Sequence, residues 1–126
     1  MDYQSPLAKA RGLGSAKSGV GHWWLQRVTA LALIPLSFWA IQFISLMIYS
    51  DYSQTVSWLK SPLHSAALAA WLIAACYHAA LGLQVVIEDY IAHEARKILL
   101  VWLSHLTFSL LALVALIALF RILFTG

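Results

Sequence analysis

Three long runs without Asp, Glu, Lys or Arg constrain the fold of this chain more than any other feature. They extend over residues 28–49, 65–87 and 98–120. A helix rises about 1.5 Å per residue, so each run would be about 30 Å long or slightly longer, which matches the hydrocarbon core of a bilayer. The sequence therefore predicts an all-α integral membrane protein with three transmembrane helices.

The composition argues against a soluble domain. Of the 126 residues, 62% are hydrophobic and 10% are charged, whereas about 25% of residues in soluble domains are charged. The formal net charge of +3 does not indicate nucleic-acid binding, because the basic residues flank the apolar runs. A cleaved secretory signal is also a poor fit, since the first run is longer than an h-region of about 7 to 15 residues.

The basic residues predict the orientation of the helices. Most lie before the first run or between the second and third runs, which would place them on one side of the membrane. They are Lys9, Arg11, Lys17, Arg27, Arg96 and Lys97, against Lys60 and Arg121 on the opposite side. By the positive-inside rule, the N-terminus faces the cytoplasm or the mitochondrial matrix and the C-terminus faces the outer side.

The chain is predicted to form one membrane domain that follows a basic tail. Residues 1–22 are rich in Gly, Ser and Lys and lack helical periodicity, so they form the predicted tail, and residues 23–126 form the three-helix domain. The first helix is expected to begin near Trp23 or Trp24, at the level of the lipid headgroups. A short polar loop should follow it, and the tight second loop should make helices two and three antiparallel neighbours.

Two histidines lie inside the predicted spans. His78 would lie about 15 Å deep, near the middle of the bilayer, where an ionisable group is a candidate functional residue. His105 would lie about 12 Å from the same membrane face. Neutral imidazole is a common ligand of haem iron, so this geometry allows the two histidines to clamp one haem. The alternative is that each makes only an interhelical hydrogen bond.

Two segments of the sequence resemble a known family. The segments "HWWLQRVTA", residues 22–30, and "HAALGLQVVIEDY", residues 78–90, resemble the smaller hydrophobic membrane-anchor subunit of succinate dehydrogenase (respiratory complex II), of the alphaproteobacterial or mitochondrial type. The resemblance implies that His78 is one axial ligand of haem b and that the larger cytochrome b anchor subunit supplies the other. It also implies that His105 is a structural, interhelical residue.

The resemblance implies roles for further residues near the predicted cytoplasmic face. Tyr90 would hydrogen-bond a carbonyl of ubiquinone, with Asp89 beside it near the proton path. Arg27 would approach a haem propionate, and His22 would be a second neighbour of the propionates. Glu88 departs from the family pattern as an extra acid before the Asp-Tyr pair, and we expect it to be a solvated loop residue.

The function that follows from the resemblance is that of a membrane anchor in succinate:ubiquinone oxidoreductase, without catalysis by the isolated chain. Its partners would be the larger anchor subunit, an iron–sulfur subunit with its clusters and a flavoprotein subunit with FAD. It would lie in a bacterial cytoplasmic membrane or a mitochondrial inner membrane. Two alternatives are the anchor of a quinol:fumarate reductase and a haem-free structural subunit.

Overall fold

A computed structural model describes residues 5–7 and 19–126 of the chain. The helices in this part are α1 (Gly19–Tyr49), α2 (Tyr52–Leu59), α3 (Pro62–Tyr90) and α4 (Glu94–Thr125), and no strand occurs among the described residues. Helices α1, α3 and α4 are each long and apolar enough to cross a membrane. The prediction of an all-α membrane protein with three transmembrane helices is confirmed.

Helices α3 and α4 extend beyond their uncharged runs at both ends, and α1 extends beyond its run at the N-terminal end. Helix α1 begins at Gly19, four residues before the expected start at Trp23. Helix α3 has Pro62 at its first position, where the fixed φ of proline suits a helix and its missing N–H is not needed. Charged residues lie in these terminal turns, so an uncharged run marks only the middle of each helix. Most of the predicted tail lies outside the described residues.

Helix α3 is the central helix of the bundle. It packs against α1 on one side and α4 on the other, whereas no Cα atom of α1 lies within 8 Å of a Cα atom of α4. The indole of Trp71 on α3 donates a hydrogen bond to Ser37 Oγ on α1 at 3.0 Å. Small buried residues such as Ala67 and Ala80 let the backbone of α3 approach its neighbours closely. The expectation that the second and third long helices are neighbours is confirmed.

Helix α2 lies in the first loop, which we expected to be a short polar connection. It buries Thr55, Val56 and Leu59 and contacts all three long helices. Leu59, with 1% of its surface exposed, forms a buried cluster with Ala40 of α1, Leu68 of α3 and Leu119 of α4. This cluster holds the long helices together at the end of the bundle that we call the α2 end. The opposite end, where α3 stops, is the Tyr90 end.

Candidate functional site

Three polar residues of α1 form a stripe that faces α3. His22, Gln26 and Thr29 follow one another at spacings of four and three residues, which places them on one side of a helix. Thr29 Oγ1 lies 2.9 Å from Nδ1 of His78 on α3. The amide nitrogen of Gln26 lies 3.5 Å from the position that a Cβ atom would take at Gly82. These contacts define an α1–α3 polar seam.

The hydrogen bonds around Thr29 determine the tautomer of His78. Thr29 Oγ1 lies 2.7 Å from the carbonyl oxygen of Leu25 and 3.1 Å from that of Gln26, so its one proton is donated within α1. The hydroxyl oxygen therefore accepts a hydrogen bond from the Nδ1–H of His78. The lone pair of this half-buried imidazole is then on Nε2, for which the described residues provide no hydrogen-bond partner.

Two polar atoms of the seam have no partner. His22 Nε2 and Gln26 Oε1 are buried, and neither makes a hydrogen bond within the described part of the chain. Buried polar atoms in native proteins are nearly always hydrogen-bonded. These two atoms are therefore candidates for hydrogen bonds to a group that the described residues do not provide, about one to two helical turns from Thr29.

Arg27 lies beside the seam, at an exposed position of α1. Its guanidinium carbon is 4.9 Å from the ring centroid of Trp23, within the range of a cation–π interaction. Trp23 in turn packs edge to face with Trp24, with ring centroids 5.2 Å apart. Trp23 therefore contacts the guanidinium directly, and Trp24 packs against Trp23, near the Tyr90 end of the bundle.

Asp89 and Tyr90 lie in the last turn of α3, about three turns beyond His78. Tyr90 is 83% exposed, Asp89 is also exposed, and neither side chain bonds to another described residue. Tyr90 follows His78 by twelve residues, or about 18 Å along a helix. The structure thus gives the chain two separate candidate sites, one at His78 and one at the Asp89–Tyr90 pair.

His105 belongs to a third group of polar residues, between α3 and α4. Its Nε2–H donates to Gln84 Oε1 at 2.9 Å, and Gln84 Nε2 donates to Glu88 Oε1 at 2.8 Å. This contact agrees with the interhelical role expected for His105. The expectation for Glu88 was wrong in one respect, because Glu88 lies within α3 and not in a loop, although it is exposed.

The side chains around His78 can be compared with the chemistry that a haem would need. The described residues contain no group of three His, Cys, Asp or Glu side chains that could hold a metal ion. A haem shared with another chain would need one ligand from this chain, and the free Nε2 of His78 could supply it. The unpartnered atoms of His22 and Gln26 provide polar contacts on the same side of α3. The residues present therefore fit the group that the sequence resemblance implies.

Comparisons with known proteins agree with the sequence resemblance. Several bacterial proteins that are named as hydrophobic membrane anchor subunits of succinate dehydrogenase are similar to this chain. The relative from Rickettsia bellii is 41% identical over 117 residues, which cover 92% of each chain. That from Rickettsia conorii is 42% identical over 102 residues, 79% of this chain and 81% of the relative. That from Paracoccus denitrificans is 30% identical over 97 residues, 77% of this chain and 75% of the relative.

No solved structure gives a significant match. The family model described as the succinate dehydrogenase/fumarate reductase transmembrane subunit matches residues 1–120, which include α1, α2, α3 and most of α4. The match thus spans the polar seam, the Asp89–Tyr90 pair and the His105 group. The chain therefore belongs to the family of succinate dehydrogenase and fumarate reductase transmembrane subunits.

Proposed function

We propose that this chain is the hydrophobic membrane anchor of a succinate dehydrogenase and shares a haem b and a ubiquinone site with a larger cytochrome b anchor subunit. The observation that carries the haem assignment is the bond between His78 Nδ1 and Thr29, which leaves Nε2 as the free ligand atom. The names of the relatives support the succinate dehydrogenase assignment. The anchor would hold an iron–sulfur subunit and a flavoprotein subunit with FAD at the membrane.

Three residues of the chain are suited to hold haem b. His78 would ligate the iron through Nε2, and the second axial ligand would come from the larger anchor subunit. Arg27 would pair with a propionate, since a guanidinium binds a carboxylate with two parallel hydrogen bonds. His22 would be a second neighbour of the propionates, through its unpartnered Nε2. Bound in this way, haem supplies a one-electron carrier within the membrane.

Two further residues are suited to bind ubiquinone. The phenol of Tyr90 can donate a hydrogen bond to a quinone carbonyl, and its 83% exposure leaves it accessible to a ligand that lies against a partner subunit. Reduction of a quinone to a quinol takes up two protons, and Asp89 is a carboxylate placed at the membrane surface to exchange them. Electrons would arrive from succinate through the FAD and iron–sulfur clusters of the partner subunits.

The charge distribution supports a location and an orientation. Arg27, Arg96 and Lys97 lie at the Tyr90 end of the described helices, and Lys60 and Arg121 lie at or near the α2 end. By the positive-inside rule the Tyr90 end faces the cytoplasm or the matrix. The soluble subunits would dock there, at the membrane of a bacterial cell or the inner membrane of a mitochondrion.

Two other functions remain distinguishable by experiment. The family description includes fumarate reductase, in which the reaction runs from quinol to fumarate, but the named relatives are succinate dehydrogenase subunits. A steady-state comparison of succinate oxidation with fumarate reduction by the complete complex separates these two. A haem-free structural subunit is the other alternative, in which His78 serves only to pair α3 with α1.

The haem assignment is tested by a pair of variants in the purified complete complex. His78→Ala should weaken or alter the haem b bands in a reduced-minus-oxidised spectrum, because the iron loses one axial ligand. Complete loss need not follow, since the partner's ligand and the propionate contacts remain. His105→Ala is the matched control and should keep the wild-type spectrum. The assignment is wrong if the wild-type complex has no haem b bands, or if only the His105 variant changes them.

A further inference from the structure

The bond between Thr29 and His78 joins residues that lie 49 positions apart in the chain. We infer that Thr29 is a positioning residue for the haem, which holds the proton of His78 on Nδ1 and so presents the Nε2 lone pair to the iron. This inference rests on the proposed function, because it assigns a role to the residue behind the proposed iron ligand. It concerns one side chain of α1 and the orientation of one ring on α3.

The short contact within α1 supports the direction of this bond. Thr29 Oγ1 and the carbonyl oxygen of Leu25 are 2.7 Å apart, a separation typical of two oxygens with a proton between them. If the hydroxyl instead donated to Nδ1 of His78, these two oxygens would face each other without a proton. The hydroxyl is therefore the acceptor for His78, and the imidazole has its proton on Nδ1.

The Thr29–His78 bond lies where water cannot replace it. Thr29 and His78 lie well inside the membrane-spanning segments α1 and α3, where water is not at hand to replace a missing partner. A hydrogen bond from the second ring nitrogen fixes both the tautomer and the orientation of a metal-binding imidazole, and it raises the basicity of the ligating nitrogen. Loss of the acceptor should therefore affect the iron and not only the packing of two helices.

The chain contains a matched control for the effect of the threonine itself. Thr107 on α4 makes the same kind of bond within its own helix, from Oγ1 to the carbonyl oxygen of Leu103 at 2.8 Å. It is exposed, and no histidine is bonded to it among the described residues. Thr107→Val thus removes an equivalent hydroxyl from a membrane helix without removing a partner of His78.

The test uses the complete complex with Thr29→Val, Thr29→Ser and Thr107→Val. Valine keeps the branched shape but has no acceptor, so Thr29→Val should weaken haem retention by roughly 10- to 100-fold. It should also shift the electron paramagnetic resonance signal of the ferric haem and raise its midpoint potential, because the ligand becomes less basic. Thr29→Ser keeps the hydroxyl and should behave as the wild type, as should Thr107→Val. If Thr29→Val does not assemble, Thr29→Ala provides the same loss of acceptor without crowding.

The outcomes separate the inference from the proposed function. A valine or alanine variant with wild-type haem retention, resonance signal and potential would overturn the role of Thr29, while the haem assignment would stand. A serine variant that shifts as far as the valine variant would also overturn it, because the hydroxyl would not be the cause. A wild-type complex without haem b, or a His78→Ala variant with an unchanged spectrum, would instead overturn the proposed function.

Discussion

At the scale of single residues, His78 and its hydrogen-bond partner Thr29 differ in how easily a membrane accommodates their side chains. An ionisable side chain in the middle of an apolar run is costly in a membrane and therefore attracts attention. The sequence does not mark Thr29 as a candidate in this way, because a threonine can satisfy its hydroxyl within its own helix. The signal that would have found it is the spacing of His22, Gln26 and Thr29, which places three polar groups on one face of α1.

Tyr90 gives the sharpest prediction at this scale. Tyr90→Phe keeps the ring and removes only the hydroxyl donor, so it should impair succinate:ubiquinone turnover by the complete complex. Oxidation of succinate with an artificial dye acceptor should remain largely intact, since that reaction does not need the quinone site. The measurement is the ratio of the two rates.

Tyr49 provides the matched control for this experiment. It is 84% exposed at the last position of α1, so it lies at the α2 end of the bundle, away from the proposed quinone site. Tyr49→Phe should leave both rates unchanged. An equal loss of both rates in Tyr90→Phe would indicate failed assembly, and unchanged quinone turnover would leave Tyr90 as a residue of the membrane interface alone.

At the scale of elements, uncharged runs predicted the long helices but not their ends or their rotation. The runs stop at the first charged side chain, whereas α3 continues through Glu88 and Asp89 to Tyr90. Helix α2 was missed because its apolar residues, such as Val56 and Leu59, are few and lie in a polar segment. The pairing of His105 with Gln84 was also hidden, because helices that are apolar on all sides give no periodic signal for which face meets which neighbour.

Helix α2 can be tested through its one fully buried side chain. Leu59 is 1% exposed and contacts residues from all three long helices, so Leu59→Ala should leave a cavity at their junction. The expected loss is roughly 2–5 kcal/mol of unfolding free energy, measured by thermal or denaturant unfolding in detergent. Tyr52→Ala, on the same helix but at a position that is 71% exposed, is the control and should have little effect. Equal losses for both would contradict the role given to the buried cluster.

At the scale of the whole molecule, the topology assigns each loop to one end. Because three long helices alternate in direction, the loop between α3 and α4 lies at the Tyr90 end, and α2 lies at the opposite end with the end of α4. The two ends also differ in charge, which is the basis of the proposed orientation. Sequence alone was sufficient to assign each loop to its end of the bundle, since that depends only on the number and order of the spans.

The orientation can be measured with single cysteines. In a Cys76→Ala background, cysteine is placed at Ser57 in α2 or at His93 in the loop before α4, both exposed positions. A membrane-impermeant maleimide added to the outer side of sealed membranes should label Ser57→Cys and not His93→Cys. Both should react after detergent is added, which controls for accessibility. The reverse pattern in sealed membranes would contradict the proposed orientation.

The polar contacts between α1 and α3 also have a consequence for biosynthesis. In co-translational insertion, α1 leaves the ribosome and enters the bilayer before α3, because it precedes α3 in the chain. Helix α1 presents acceptor oxygens to α3. The hydroxyl proton of Thr29 is already bonded to the carbonyl oxygen of Leu25, so this hydroxyl is satisfied in lipid before α3 is present. The N–H donors, Trp71 to Ser37 and His78 to Thr29, arrive later on α3. The order of synthesis therefore delivers each donor to an acceptor that is already in place.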